Sequence, residues 1–333
     1  MKYAIVGFGG IGKCHFGNKD DIIKAHPDVE LVALCDIDQS KFTTNTSTNL
    51  GEDTNSLDLS AYRLYTDLDE MLEKEQLDFV IGAIPTFLHD EISCKVMKKG
   101  VNMFCEKPMA LTMEKAQTML DVSKENNVKL MFGQCVRYFP EYAMLKEIAD
   151  SKKYGKVVKA EFIRLSPTPL WSWNNWYMDE GKSGGAALDL HVHDVDFINY
   201  LFGKPKAVTS TATSLVSKHD SITTYYDYGD FSVIATGDWG LPKTYPFTPA
   251  FFVKFEKAAV EMKGGKIKIY TDEEISEPEF PSGSGYALEV IDFVSCIKDN
   301  KKSEVNPPES TLVTLEIALA EKQSADLNKT IEL

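Results

Sequence analysis

No stretch of this chain reaches the roughly 18 consecutive apolar residues of a membrane-spanning helix. The opening residues, Met1-Lys2-Tyr3-Ala4-Ile5-Val6-Gly7, hold too short an apolar run for an export signal. Positive charge is in deficit: 36 Lys and Arg face 50 Asp and Glu, a formal net charge of −14. Such a surface repels phosphate backbones and argues against nucleic acid as a partner. No two of Cys14, Cys35, Cys94, Cys105, Cys135 and Cys296 form a C-x-x-C pair, so zinc-ribbon and thioredoxin-like sites have no basis. Cys35 and Cys105 fall in apolar strand-like runs, where a thiol serves as a small hydrophobe. Without an export signal, reduced thiols in the cytoplasm are expected. There is no internal repeat and no long linker. The 333 residues, 43% hydrophobic and 26% charged, have an ordinary globular composition and a length of about two domains.

What is present first is an alternation of strands and helices. Strands are expected at 3–6, 30–35, 63–65, 78–84, 101–105 and 129–132. Helices are expected up to about Lys24 and over 68–75, 91–99 and 112–127. Thr66 or Asp67 can cap the second of these, and Thr112 the last. The Ser/Thr/Asn-rich stretch 43–60 reads as a frayed helix end and a loop. This rhythm predicts βαβ units and a doubly wound parallel sheet of the Rossmann type over 1–130. The rhythm changes after Gln134. A helix fits 141–151, a strand 157–165, a tryptophan-rich loop 166–183 and a helix 187–202. Strand runs follow at 207–216, 221–228, 231–239, 250–256, 259–262 and 266–270, joined by turns. They predict a second α/β domain over 131–333 with an open, mostly antiparallel sheet. Helices near 286–300 and 311–327 close the chain.

Four motifs carry chemistry. Gly7-Phe8-Gly9-Gly10-Ile11-Gly12 fits G-x-G-x-x-G between a strand and a helix, the context a dinucleotide site requires. Gly7 permits the turn, Gly9 the approach of a pyrophosphate, and Gly12 close helix–strand packing. Asp36 ends the second strand 24 residues past Gly12. It suits a ribose diol and repels a 2′-phosphate, and Ile37 to Ser40 supply no Arg, which favours NAD over NADP. Glu106-Lys107-Pro108 follows the fifth strand, at the strand ends that form the ligand crevice. The segment Ser183 to Asp196 places Asp189, His193 and Asp196 at i, i+4 and i+7, on one face if helical. A neutral imidazole beside carboxylates is a proton-transfer group near neutral pH. His191 and His193 lie two apart and diverge by about 200° on a helix, so they do not converge on one metal ion. Trp171, Trp173, Trp176 and Tyr177 offer aromatic faces to a sugar ring or a hydrophobic cap.

Together and in this order, these segments resemble the Gfo/Idh/MocA family of nicotinamide-dependent oxidoreductases, over almost the whole chain. The resemblance implies a catalytic set of Lys107, Asp189 and His193. It implies cofactor contacts from the glycine loop (Gly7, Phe8, Gly9, Gly10, Ile11, Gly12), Asp36, Ile37, Ile84, Pro85, His89, Glu106, Lys107 and Gln134. Substrate contacts are expected from Lys107, Arg137, Trp176, Asp189 and His193, and no metal. The implied reaction is hydride transfer between NAD, less readily NADP, and a secondary alcohol of a sugar, cyclitol or related polyol. His193 takes the hydroxyl proton, Lys107 stabilises the reacting oxygen, and Asp189 orients the pair. The partner is then a small molecule, with a homodimer or homotetramer formed through the C-terminal sheet. Two departures stand out. His191 occupies a place commonly held by Gly in D-x-G-x-H, and Ala186 one where many members carry a third Gly. The family also holds NAD-assisted glycosidases, and a non-catalytic cofactor sensor is a third reading.

Overall fold

The computed structural model describes residues 1–44 and 57–333 and, between them, only the backbone of 47–48 and 51–52. Part of the loop expected over 43–60 therefore lies outside the described residues. Two compact units result: Met1–Cys135 with Ser284–Leu312, and Val136–Gly283 with Val313–Leu333.

In the first unit β1 (Lys2–Val6), α1 (Gly10–Gly17), α2 (Lys19–Ala25) and β2 (Glu30–Cys35) come first. A two-residue ladder pairs β3 (Ser47–Thr48) with β4 (Gly51–Glu52). Then follow β5 (Arg63–Tyr65), α3 (Leu68–Lys74), β6 (Phe79–Gly82), α4 (His89–Lys98), β7 (Asn102–Cys105), α5 (Met113–Glu125) and β8 (Leu130–Phe132). The caps are the expected ones. Asp67 accepts from the Glu70 N–H at 2.9 Å, and Thr112 from the Lys115 N–H at 3.3 Å. The sheet runs β5-β2-β1-β6-β7-β8, every pair parallel. That is the Rossmann order, which reverses direction beside β1 and opens a crevice at the strand ends there.

The second unit contains α6 (Pro140–Ser151), β9 (Val157–Pro167), α7 (Glu180–Ser183), a π-helical turn (Ala187–His191) and α8 (Val192–Phe202). Strands β10 (Ala207–Thr213), β11 (Ser221–Asp227), β12 (Ser232–Leu241), β13 (Thr248–Phe255), β14 (Ala259–Lys263), β15 (Lys266–Tyr270) and β16 (Ile275–Ser276) follow. Helix α9 (Gly285–Lys298) lies in the first unit. Helix α10 (Pro308–Leu327) spans the two stretches, and β17 (Ile331–Glu332) completes the chain. The larger sheet runs β16-β15-β14-β13-β9-β12-β11-β10-β17 and is antiparallel except between β9 and β12. Strict alternation explains its two faces. In β9, Ala160, Phe162 and Arg164 point inward, while Lys159, Glu161 and Ile163 point outward.

One expectation needs correcting. The span 131–333 does not stay together, because Ser284–Leu312 packs with the first unit. The reason is the apolar face of α9. Phe293 stands edge-on to Phe79 at 5.8 Å, and Val290 and Val294 join the same core as Tyr3, Ile5 and Phe104. Burying each such side chain contributes about 1.5–3 kcal/mol.

Candidate active site

The glycine loop is shaped by what a side chain would strike. A Cβ on Gly7, which has φ +88°, would lie 2.3 Å from the Ala83 carbonyl oxygen, and one on Gly12 1.9 Å from that of Gly7. Gly9 differs: a Cβ there would meet nothing within 4 Å. The loop thus packs tightly on two glycines and leaves a cradle at the third, beside the N-terminus of α1. Asp36 braces it. Its Oδ2 accepts from the Phe8 N–H at 2.7 Å and its Oδ1 from the Asp38 N–H at 2.9 Å. Ile37 beside it is 72% exposed, a bare apolar surface. Phe8 is a core residue whose ring meets Phe16 edge-on at 5.6 Å. Its side chain therefore cannot be a cofactor contact.

From Met103 to Ala110 every residue is buried except Lys107. The turn that presents it is held from within. The Glu106 Oε1 lies 2.7 Å from His15 Nε2 on α1, and its Oε2 accepts from the Lys107 N–H at 3.2 Å. Glu289 of α9 completes a buried trio with His15 and Glu106, their ligand-type atoms within 4.8 Å of one another. The 2.7 Å His15–Glu106 contact is a hydrogen bond, shorter than the spacing between two ligands around one ion. Glu106, expected beside the cofactor, is thus 5% exposed and turned toward His15. His89 is also internal: Nδ1 lies 2.7 Å from the Pro108 carbonyl oxygen and Nε2 3.0 Å from that of Ile84. Burial lowers its pKa against the pull of those carbonyls. A neutral ring then donates to one carbonyl at a time. His89 ties two turns together and has no nitrogen left for a cofactor. Ile84 and Pro85 remain half-exposed at the end of β6. Gln134 is buried, and among the described residues neither its Oε1 nor its Nε2 has a hydrogen-bond partner. A buried amide of this kind costs stability unless something pairs with it. The preceding Phe132 carbonyl is held by Asn306 Nδ2 at 2.7 Å.

In the second unit, every residue from Ser183 to Asn199 is buried except Asp189 and His193. The expected single α-helix begins instead with a π turn, a rarity that concentrates at functional sites. Asp196, expected on the same open face, is buried and paired with Arg137. The Arg137 Nε and Nη2 lie 2.7 and 2.6 Å from the two carboxylate oxygens, and the Thr314 hydroxyl adds a bond at 2.8 Å. Arg137 was expected to touch substrate. Its side chain is wholly buried, committed to Asp196 and stacked 5.0 Å from the Tyr200 ring centroid. One turn away Arg164 holds Asp194 at 2.8 and 2.9 Å. His191 also points inward. Its Nε2 lies 3.5 Å from Glu321 Oε2 and 3.4 Å from the Tyr226 hydroxyl, and a Cβ on Gly237 would come within 2.8 Å of the His191 Cβ and 2.9 Å of its Nδ1. Burial, then the Glu321 carboxyl beside it, keeps the Tyr226 phenol well above its ordinary pKa and so protonated. Trp176 and Tyr177 lie half-exposed with ring centroids 4.3 Å apart.

Residues 1–134 match the family described as oxidoreductases with an NAD-binding Rossmann fold, and residues 142–261 match the GFO/IDH/MocA C-terminal domain. The chain belongs to the GFO/IDH/MocA oxidoreductase family. Among its relatives, 2,7-anhydro-N-acetylneuraminate hydratase of Mediterraneibacter gnavus is 30% identical over 220 residues, 66% of this chain and 54% of that protein. Inositol 2-dehydrogenase of Rhizobium meliloti is 26% identical over 327 residues, 92% of this chain and 91% of that protein. The chain therefore spans about half the length of the first and most of the second. The crystal structure of myo-inositol 2-dehydrogenase from Lactobacillus plantarum has the same fold, with a TM-score of 0.80 at 22% identity, covering 100% of this chain and 99% of that one.

Within this GFO/IDH/MocA chain, the supports of the site are what the motifs alone miss: His15, Glu289, Arg164, Tyr226 and Glu321. A signal was present for two of them. Glu289 stands four residues before Phe293, and Glu321 four after Ile317, on the apolar faces of their helices. A carboxylate there is buried, and a buried carboxylate needs a partner.

Proposed function

We propose that this GFO/IDH/MocA protein transfers hydride between NAD and a secondary alcohol of a sugar, cyclitol or related polyol. One observation carries the reading. Two otherwise buried segments open to solvent only at Lys107 and at Asp189 and His193. An acid–base group, its cationic partner and a carboxylate are the equipment for moving a hydroxyl proton.

The residues present fit the cofactor. The cradle at Gly9 and the N-terminus of α1 suit a pyrophosphate. Asp36 retains acceptor capacity for a ribose diol, exposed Ile37 offers an adenine a face, and the unpaired Gln134 amide matches a carboxamide. NAD, when bound there, accepts or returns the hydride. His193 takes the hydroxyl proton, Lys107 donates a hydrogen bond to the reacting oxygen, and Asp189 orients both. Asp36 and the absence of a nearby free guanidinium favour NAD over NADP. No step of this reading needs a metal ion, so exhaustive chelation is expected to leave activity unchanged.

Assembly is read from the outward face of the larger sheet. Phe252, Glu161, Ile234 and Tyr225 form one row across β13, β9, β12 and β11, and Ile163 lies in the next. This half-apolar row suits a homodimer or homotetramer. Among the described residues no helix is long and apolar enough to cross a membrane, and all six cysteines are free thiols, which suits a cytoplasmic enzyme. A panel of polyols and inositols assayed with NAD and NADP tests the proposal. Net NADH formation with at least one of them is expected. Tightly held NAD without net turnover, together with glycoside cleavage, would identify a glycosidase instead.

A further inference from the structure

The chemistry proposed above makes no use of His15, yet this imidazole is fixed on every side within the first unit. Its side chain is wholly buried on α1, and its ring stands edge-on to Phe104 of β7 at 5.7 Å and to Tyr286 of α9 at 6.1 Å. Among the described residues its Nδ1 makes no hydrogen bond, so the bonding capacity of the ring goes to one partner. That partner is Glu106, whose Oε1 lies 2.7 Å from Nε2. A carboxylate accepts, so Nε2 supplies the proton of this bond.

Glu106 is confined in turn. A Cβ on Gly133 would lie 2.8 Å from its Oε2 and 3.1 Å from its Oε1, so the carboxylate rests directly on that backbone. The Glu106 N–H donates to the Gly82 carbonyl at 2.9 Å, and the Gly133 N–H to the Cys105 carbonyl at 2.8 Å. Its Oε2 accepts from the Lys107 N–H at 3.2 Å. Glu289 brings a second buried carboxyl group within 4.8 Å of the same cluster. Without the imidazole, two carboxylates would face each other in the interior, and like-charge repulsion would turn Glu106 out of its place. The Lys107 N–H would then lose its acceptor.

The helix explains the reach. Gly12 and His15 are three apart and share one face of α1. Gly12 seats the helix against Gly7, and one turn later His15 extends to the end of β7. Strands β1, β6 and β7 are consecutive in the sheet, so α1 passes over β6 to the strand that carries Lys107. We infer that His15 is a positioning residue: through Glu106 it fixes the turn that presents Lys107, from the helix that begins at the glycine loop. The inference rests on the dehydrogenase reading for the use of Lys107 and adds a residue that sets its place.

The test compares His15→Ala with His15→Gln, whose amide nitrogen reaches Glu106 as Nε2 does, each made with and without Lys107→Ala. With an accepted polyol, His15→Ala should lower kcat by about 10- to 100-fold, the scale of misplacing a reacting group by about 1 Å. NAD affinity should stay within a few-fold, and His15→Gln should recover most of the loss. In the Lys107→Ala background neither change should lower kcat further, because the residue acted upon is gone. A second readout needs no turnover: brief acetylation with acetic anhydride, followed at each lysine by peptide mass spectrometry. His15→Ala should shift the labelling rate at Lys107 by about threefold or more and leave the lysines of the second unit unmoved, and His15→Gln should restore it. An equal fall in kcat in both backgrounds makes His15 a merely structural residue and overturns the inference. So does unchanged labelling at Lys107, or a His15→Gln protein as impaired as His15→Ala. If Lys107→Ala turns over normally, or the unaltered protein oxidises no polyol, the dehydrogenase reading falls, and the labelling alone decides the inference. Should His15→Ala not fold, Glu106→Gln takes its place with the same expected results, since it keeps the side-chain shape and leaves one oxygen for two donors.

Discussion

Replacing Asp196 with Ala separates two roles for Arg137, a substrate ligand or a structural cation. Both side chains of the pair are essentially out of solvent, at 0% and 1% exposure. Thr314 also donates to the same carboxylate. Removing one partner of such a pair strands the other charge in the interior and costs about 3–5 kcal/mol. With a urea dependence of about 3 kcal/mol per molar, the unfolding midpoint should fall by about 1–1.7 M. All four tryptophans (171, 173, 176 and 239) lie in the second unit, so intrinsic fluorescence reports the unit that contains the pair. Arg137→Ala should cost a similar amount, and the double variant less than the sum, because the two groups share one interaction. A midpoint shift below about 0.3 M for Asp196→Ala would refute the reasoning. So would an Arg137→Ala protein of normal stability whose only defect is a raised KM.

Asp36→Ala should narrow the preference for NAD over NADP, by removing the ribose contact and the repulsion of a 2′-phosphate. Cofactor titration checks this, and equal affinity of the unaltered protein for both would contradict it. His89 and His219 both have pKa values lowered chiefly by burial. They are neutral when folded and protonated in the unfolded chain below about pH 6.5, so the unfolded state binds more protons there. Stability should be full above about pH 6.5 and decline as the pH falls toward the lowered native values. Urea midpoints at pH 7.5 and 5.5 measure it. His219→Asn, which tolerates the φ of +52° at that position, should flatten the slope. Greater stability at pH 5.5 would show the sign to be wrong. His191→Ala should lower kcat by about tenfold through loss of its contacts with Glu321 and Tyr226. His191→Gln, which retains a donor, should recover most of that, with NAD affinity unchanged in both. Equal rates for the two variants would exclude a positioning role.

The parallel sheet was legible because its strands are nearly continuous apolar runs such as Glu30–Cys35 and Phe79–Gly82, each closed by a polar residue or a glycine. The caps at Asp67 and Thr112 were legible for the same local reason. Long-range pairing was not. His15 meets Glu106 across 91 positions and Arg137 meets Asp196 across 59, and local pattern does not choose one carboxylate among 50. The resemblance assigns Arg137 to the substrate and Glu106 to the cofactor by position alone, and position carries no information on these distant partners. The return of α9 to the first unit was hidden too, because an apolar helix face does not specify which core it joins. The π turn left no periodic signature, since one extra residue per turn over Ala187–His191 is too short to shift the apolar spacing. The positions of Lys107, Asp189 and His193 followed from motif resemblance. Their standing as the openings of two buried segments is visible only in the fold.

The central claim is that Lys107 and His193 perform the proton chemistry while the glycine loop and Asp36 hold the cofactor. It is tested most directly by cofactor titration and steady-state kinetics on Lys107→Ala and His193→Ala, with one accepted polyol. NAD affinity should stay within a few-fold and kcat should fall by about 10²–10⁴, the range for lost general acid–base groups. Near-normal turnover by Lys107→Ala would contradict the account.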